Sequence, residues 1–414
     1  MKGIRASPLL CIDAATARVL QRTTSVQAGS VAPCPDRDSK SAARNQPIII
    51  GPALTAEWAC VSKWCKASAS DRTVPDAPDL SALREYSHHL VQVADCSTRR
   101  FNEFDRSERQ LGEVLDLWER GDGDSLKLYV KDWHQVLQLE VEGGSQDEIY
   151  TTPPVFQDDW MTHHALTLGP PDDYRFTYAG PKGTFTPLHR DVYGSYSWSS
   201  NIVGRKCWWL VPPEHTDLFR TRKGGEDVVF DIRDLPEKTW RDRVLVVIQE
   251  PGETIFVASG WYHQVENLDF CISINQNFAS SHIMPTIYQN LLHSLGRVED
   301  AIDDVKTLLR DQAGREPKSA TSVDDREIQP WEVEWLEQVQ NLLEMDAGWG
   351  LRGFWAMIAY NLRVPPADAS LRPSDECVHD KIRPLIQDFR QRREYAVLRD
   401  LRGLVDDVAG MIGE

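Results

Sequence analysis

The chain has 414 residues, 41% of them hydrophobic, enough for a substantial core in one large unit with extensions or in more than one domain. Its formal net charge of −17 argues against a nucleic acid's phosphate backbone as main partner and suits a basic peptide or protein better. No run approaches the roughly 18 apolar residues that a membrane-spanning helix needs, so no membrane partner is expected.

Residues 1–44 read as a disordered N-terminal segment. Arg5, Arg18 and Arg22 among many Ser and Thr give it a faint transit-peptide character. Asn45 to Pro52 reads as a short strand with punctuation at both ends. Ala82 to Leu90 is expected to be helical and Val91 to Ala94 a strand. Leu111, Val114, Leu115 and Trp118 have the spacing of an amphipathic helix, ended by Gly121-Asp122-Gly123-Asp124. Leu126 to Val130 alternates as a half-buried strand.

From Tyr174 to Phe278 short strand-like runs and turn signals follow each other closely, which argues for a sandwich or barrel. The strands expected are Arg175–Ala179, Ser195–Val203, Lys206–Val211, Thr254–Val257, Trp261–His263 and Phe270–Asn277. Residues 214–243 form a charged insertion, a candidate lid or groove wall. After Pro285 the period becomes helical. Ile287, Leu291, Leu295, Val298, Ile302, Val305 and Leu309 mark one long amphipathic helix. Gly314–Asp325 reads as a linker, and Trp331–Met345, Phe354–Leu362 and most of Lys381–Ile412 as further helices. The organisation expected is an N-terminal segment 1–44, a catalytic domain 45–280 with its β core at about 174–278, and a helical region 281–414.

The eight cysteines contain no CxxC pair. Cys60 and Cys65 lack a second pair for structural zinc, and Cys207 and Cys271 lie in apolar runs as buried free thiols. The pattern suits a reducing compartment, the cytoplasm or the nucleus.

The chemistry concentrates at Thr186-Pro187-Leu188-His189-Arg190-Asp191. Residues two apart on a strand share a face, so His189 and Asp191 point together. With a third ligand from a distant strand they would form two histidines and one carboxylate, the set of non-haem Fe(II) oxygenases. His263 follows a glycine turn 74 residues beyond His189, and Lys206 follows a glycine 17 residues beyond it. His88-His89 and His163-His164 read as ordinary polar residues, because neighbours on a strand face opposite ways. Trp198, Trp208 and Trp209 read as core.

These residues, with Tyr178-Ala179-Gly180 and the run Trp208 to Pro213, resemble the JmjC (jumonji-C) family of 2-oxoglutarate oxygenases over residues 45–280. Val93–Cys96, Tyr129–His134, Asp158-Asp159-Trp160 and Ser195–Asn201 are similar to the branch of the jumonji domain-containing protein four type. The family fold is a double-stranded β-helix, a jelly-roll barrel related to the cupins, with flanking helices. The resemblance implies Fe(II) on His189, Asp191 and His263, and 2-oxoglutarate and O2 as cosubstrates. It implies that Lys206 and Thr186 hold the remote carboxylate of 2-oxoglutarate, since a buried lysine needs such an anion. Asn277 falls where related enzymes place a polar residue near the cosubstrate, with Asn275 on the same strand face. Ser199 stands where some relatives carry asparagine, and Tyr178 faces either the cosubstrate or the substrate.

The branch is a lysyl hydroxylase of the eukaryotic class-one translation release factor, which makes that protein the expected substrate. The same ligands would serve a histone lysine demethylase or a hydroxylase of another protein, and a non-catalytic barrel scaffold is the third reading. C-terminal helices in some members of the family suggest a homodimer.

Overall fold

The computed structural model describes residues 11–12, 45–65, 78–120, 127–168, 174–222, 227–314 and 328–414. Apart from Cys11–Ile12, the expectation of disorder over residues 1–44 lies outside them. So does the Gly121–Asp124 stop, along with all of the 314–325 linker except Gly314.

Thirteen strands form two sheets among the described residues. They are β1 (Cys11–Ile12), β2 (Ile48–Ile50), β3 (Leu90–Arg100), β4 (Glu103–Gln110), β5 (Leu128–Trp133), β6 (Arg175–Gly180), β7 (Phe185–Arg190), β8 (Tyr196–Val203), β9 (Lys206–Val211), β10 (Leu245–Gln249), β11 (Thr254–Val257), β12 (Tyr262–Asn267) and β13 (Cys271–Phe278). The larger, nine-stranded sheet runs β1-β2-β11-β8-β13-β6-β5-β3-β4, and the smaller, four-stranded one β10-β9-β12-β7. Neighbours pair antiparallel except β1 with β2. The expected β core with flanking and C-terminal helices is present. The sheets face each other as a jelly-roll-type sandwich without one closed ring of hydrogen bonds, so the barrel is open.

Strand periodicity sorts the smaller sheet cleanly. Lys206 and Trp208 of β9 face the space between the sheets. Cys207, Trp209 and Val211 face outward and are covered by Phe219, Ile232, Trp240 and Val244 of the 214–243 insertion and the residue after it. The insertion therefore builds a second small core on the back of this sheet. Among the described residues it lines neither site cavity, which corrects the reading of it as a lid or groove wall.

Trp198, fully buried, stacks on Phe156 with ring centroids 5.5 Å apart. It belongs to a core continuous with Leu291, Leu295 and Val298 and with the later helices. The apolar stripe after Pro285 is not one helix. It breaks at Ile302 (φ −120°, ψ 27°) into Met284–Ala301 and Asp303–Ala313. Lys381–Ile412 is likewise divided among helices Asp375–Phe389, Arg393–Val397 and Arg399–Ile412. Two other expectations change. Ala82–Tyr86 is a short 3-10 turn. β5 is almost wholly buried because it lies inside the large sheet.

Gly204 sets the approach to Lys206. Its φ is +76°, and a Cβ there would lie 2.2 Å from the carbonyl oxygen of Phe270. Gly204→Ala is expected to cost at least about 2 kcal/mol, from left-handed strain plus overpacking. A urea midpoint checks it, and an unchanged midpoint would refute the close approach.

Candidate active site

His189 and His263 are directly opposite each other in the β7–β12 register. Facing positions in an antiparallel pair share one side of the sheet, and the two rings meet at 4.2 Å between centroids. Asp191 lies one residue past the end of β7, still extended (φ −59°, ψ 148°). It is therefore on the same side as His189 although it is no longer in the strand. The potential ligand atoms of His189, Asp191 and His263 all lie within 4.8 Å of one another. The carboxylate Oδ1 of Asp191 is 4.0 Å from His263 Nε2.

The surroundings fix which atoms face inward. His189 Nδ1 lies 2.8 Å from the carbonyl of Pro187, and His263 Nδ1 lies 3.4 Å from that of Trp261. A carbonyl only accepts, so each Nδ1 carries the proton and each Nε2 presents a lone pair. Burial, and then the facing His263 ring, push His189 down to about 3, so its imidazole is neutral at physiological pH. Ser197 donates to Asp191 Oδ2 at 2.7 Å, leaving Oδ1 toward the histidines. Two imidazole nitrogens and one carboxylate oxygen, converging on one place, suit a divalent first-row metal.

Thr186 reaches the same cavity for a reason that strand periodicity hides. Residues three apart normally face opposite ways. Here Thr186 pairs with Val265 and His189 with His263, so three steps on β7 match two on β12. That extra residue is a β-bulge at Pro187-Leu188, where proline's missing N–H does no harm. Thr186 and His189 thereby line one cavity.

On the opposite wall, β13 alternates polar Ser273, Asn275 and Asn277 with Ile274 and Gln276. Asn275 and Asn277 line the cavity, together with Ser199 and Tyr178. Asn277 donates to Ser195 Oγ at 3.1 Å and Asn275 to Ser273 Oγ at 3.1 Å. The hydroxyl of Ser199 is buried with no hydrogen-bond partner. Tyr178 lines both this cavity and an outer cleft, with its hydroxyl donating to Asp132 Oδ1 at 2.6 Å.

Lys206 is 2% exposed. Its ammonium donates to Ser273 Oγ at 2.7 Å, and among the described residues it forms no ion pair with a carboxylate. Burial pulls its pKa down to about 8. A buried cation facing a polar cavity, beside an unpartnered hydroxyl, is a receptor for an anion. The sequence-expected residues are thus brought together, each in the cavity or on its wall. Ser197 and Ser273 escaped sequence reading; the polar alternation of β13 was the available signal for Ser273.

The outer cleft, of about 350 Å³, opens on the His189–Asp191 side. Its wall is the β3–β4 hairpin, with Glu103, Arg106 and the Lys131-Asp132 pair at its rim. Asp132 is held at φ +52°, and Arg106 donates to its Oδ2 at 2.8 Å. A second set of potential ligand atoms, His88, His89 and Glu142, lies near the surface. The adjacent histidines precede β3 in a turn, so their rings converge. Both Nε2 atoms are engaged by Glu142, at 2.8 and 3.4 Å. His163 sits in a helix and bonds Asn361 through Nδ1 at 2.9 Å.

A family model described as "JmjC domain, hydroxylase" matches residues 176–278. The chain is 34% identical over 294 residues to "Arginine-specific demethylase JMJ20" of Arabidopsis thaliana, covering 65% of this chain and 60% of that protein. It is 37% identical over 274 residues to "2-oxoglutarate and iron-dependent oxygenase JMJD4" of Danio rerio, covering 63% and 61%. The Gallus gallus protein of that name is 32% identical over 300 residues, covering 69% of this chain and 67% of its own length. The chain belongs to the JmjC family. It spans about three fifths of the first two of these curated relatives.

Membership in the JmjC family fits the site on structural grounds. The donor set suits iron, and the cavity holds the Lys206 ammonium, bonded to Ser273 but to no carboxylate of the described residues, together with the unpartnered Ser199 hydroxyl, which suits a dicarboxylate. Ser197→Ala removes the donor that orients Asp191. Outer-shell losses of this kind cost roughly 10–100-fold in metal affinity or activity. The expected outcome is a weaker apparent Fe(II) affinity at unchanged melting temperature, measured by anaerobic titration.

Proposed function

We propose that the chain is an Fe(II)- and 2-oxoglutarate-dependent oxygenase that hydroxylates a lysyl side chain of the eukaryotic class-one translation release factor. The observation that carries the chemistry is a single cavity holding two imidazoles, one carboxylate and a buried lysine with no carboxylate partner among the described residues. Iron with 2-oxoglutarate and O2 would supply the oxidant for inserting one oxygen atom into a C–H bond, with succinate and CO2 as coproducts.

The protein's own residues do the rest. His189, Asp191 and His263 would hold the metal, with Nε2, Oδ1 and Nε2 as the atoms that face one another. The carbonyls of Pro187 and Trp261 fix both tautomers, and Ser197 fixes the carboxylate. Lys206 and Thr186 would bind the remote carboxylate of 2-oxoglutarate, with Ser199, Asn275 and Asn277 as the rest of the cavity's polar wall. Trp208, stacked on His263 at 5.7 Å, excludes water from the closed end. The substrate enters by the outer cleft, where Tyr178 joins the two cavities.

The release factor is supported by the branch-like segments, two of which lie beside the outer cleft: Val93–Cys96 contributes Ala94, and Tyr129–His134 contributes Lys131 and Asp132. The acidic net charge of −17 favours a basic partner. A second reading follows from JMJ20, named an arginine-specific demethylase. Demethylation is hydroxylation of an N-methyl group, so the same ligands would serve methylated arginine or a histone methyl-lysine. Tandem mass spectrometry after incubation with Fe(II), ascorbate and 2-oxoglutarate separates them. We expect one oxygen gained on a lysyl side-chain carbon of the release factor. Loss of a methyl group from a methylated histone peptide, with the release factor unmodified, would transfer the assignment to demethylation.

A further inference from the structure

Of the three potential ligands, Asp191 is the one that the sheet does not hold. The β7–β12 ladder ends at Arg190 opposite Tyr262, so pairing between strands fixes His189 and His263 but stops short of Asp191. Asp191 instead opens a tight turn that carries the chain from β7 of the smaller sheet to β8 of the larger. The Gly194 N–H donates to the Asp191 carbonyl at 3.1 Å, and the Ser195 N–H to that of Val192 at 2.9 Å. Ser197, the donor to the Asp191 carboxylate, stands just past the far end of the same turn. Whatever sets the turn therefore sets both the carboxylate and the hydroxyl that orients it.

The turn is not relaxed. Tyr193 lies in the left-handed region (φ 59°, ψ 1°). That conformation is rare and costly for a bulky side chain, and it persists only where the surroundings enforce it. Two contacts that hold it come from the helical region. Asn290, in helix Met284–Ala301, donates through Nδ2 to the Tyr193 carbonyl at 3.1 Å. The Tyr193 ring packs on Trp349 with centroids 4.5 Å apart. Gly348, which ends helix Pro330–Ala347 at φ +81°, leaves room for that ring: a Cβ there would lie 2.5 Å from Tyr193 Oη. Asn290, Gly348 and Trp349 all lie beyond residue 278, where the match to the family model ends.

We propose that Asn290 and Trp349 are positioning residues for the metal site, holding Tyr193 in its left-handed turn and thereby setting the Asp191 carboxylate against His189 and His263. The inference rests on the reading of the triad as a metal site. Without these contacts Tyr193 is free to leave the left-handed region. A change of φ and ψ in the turn then moves Asp191 relative to two histidines that the ladder keeps in place. The helical region is on this account part of the support of the metal site, acting on it through one turn.

The test is a Co(II) titration of the full metal-free chain, followed by visible absorption, beside the melting temperature of each metal-free variant. Co(II) is a divalent first-row ion suited to the same donors, and its visible bands report the ligand set. Asn290→Asp keeps the side-chain shape but sets an acceptor against the Tyr193 carbonyl, and Trp349→Ala removes the ring. Each is expected to weaken Co(II) binding roughly tenfold, the low end for losses outside the ligands themselves, and to alter the bands. Trp349→Phe, which returns a ring to Tyr193, should restore both to near wild type. If one of the two loss variants does not fold, the other decides. Lowered melting temperatures with unchanged Co(II) affinity and bands would make the contacts merely structural and overturn the proposal alone. Wild type that binds no Co(II) would overturn the metal-site reading, and the proposal with it.

Discussion

His189→Ala is expected to reduce 2-oxoglutarate turnover to background while leaving a folded protein. His189 supplies one of three donor atoms gathered within 4.8 Å, and no other imidazole of the described residues belongs to that group except His263. Outer-shell changes alone cost roughly 10–100-fold, so losing a donor itself should cost more. The fold should survive, because His189 is half-buried and its ring lies over a polar cavity rather than inside an apolar cluster. Succinate formation and circular dichroism, measured together, test both halves. Full turnover by the variant would remove His189 from the ligand set, and an unfolded variant would show that its role is structural.

Lys206→Met should separate binding from stability. Removing one partner of a buried, hydrogen-bonded charge pair costs roughly 2–5 kcal/mol. The apparent affinity for 2-oxoglutarate should therefore fall by well over tenfold, with Fe(II) affinity retained. The protein without cosubstrate should be no less stable and could gain. Lys206 has a folded pKa near 8 against an ordinary 10.5, so below pH 8 the fold bears roughly 3 kcal/mol for keeping it charged. That cost is relieved between pH 8 and 10.5, where the folded state loses its proton before the unfolded state does, so stability attributable to this group rises with pH there. Cosubstrate affinity should move the other way and weaken above about pH 8, as the free site loses the positive charge that the carboxylate needs. A binding profile for N-oxalylglycine that is flat across this range in wild type, or equal in Lys206→Met, would mean that the anion sits elsewhere.

Much of this site was legible in the sequence because it lies where strand periodicity is most regular. His189, Asp191, Lys206 and His263 occupy turn-bounded strands or their ends, and Lys206–Val211 runs from one turn to the next as expected. What escaped had specific causes. β4 was missed because Glu103–Gln110 is a polar edge strand buried at only one position, so no apolar alternation marks it. β10 was hidden at the end of a charged insertion, although Val244–Ile248 is an apolar run. The insertion could not be assigned a place because composition does not say which face of a sheet it covers. The strand rule that sets neighbouring histidines on opposite faces does not hold at 88 and 89, which lie in a turn. Thr186 reaches the cavity only through a bulge, which spacing cannot show. Ser197 and Ser273 act through contacts made across the sandwich, which no local pattern contains.

The triad, rather than the His88–His89–Glu142 group, is the proposed iron site. Anaerobic calorimetry of the metal-free chain with Fe(II) tests it most directly. One tight equivalent is expected in wild type and in Glu142→Gln, which disables the His88–His89–Glu142 group, and none in Asp191→Ala. Iron binding that survives Asp191→Ala and disappears in Glu142→Gln would contradict the account.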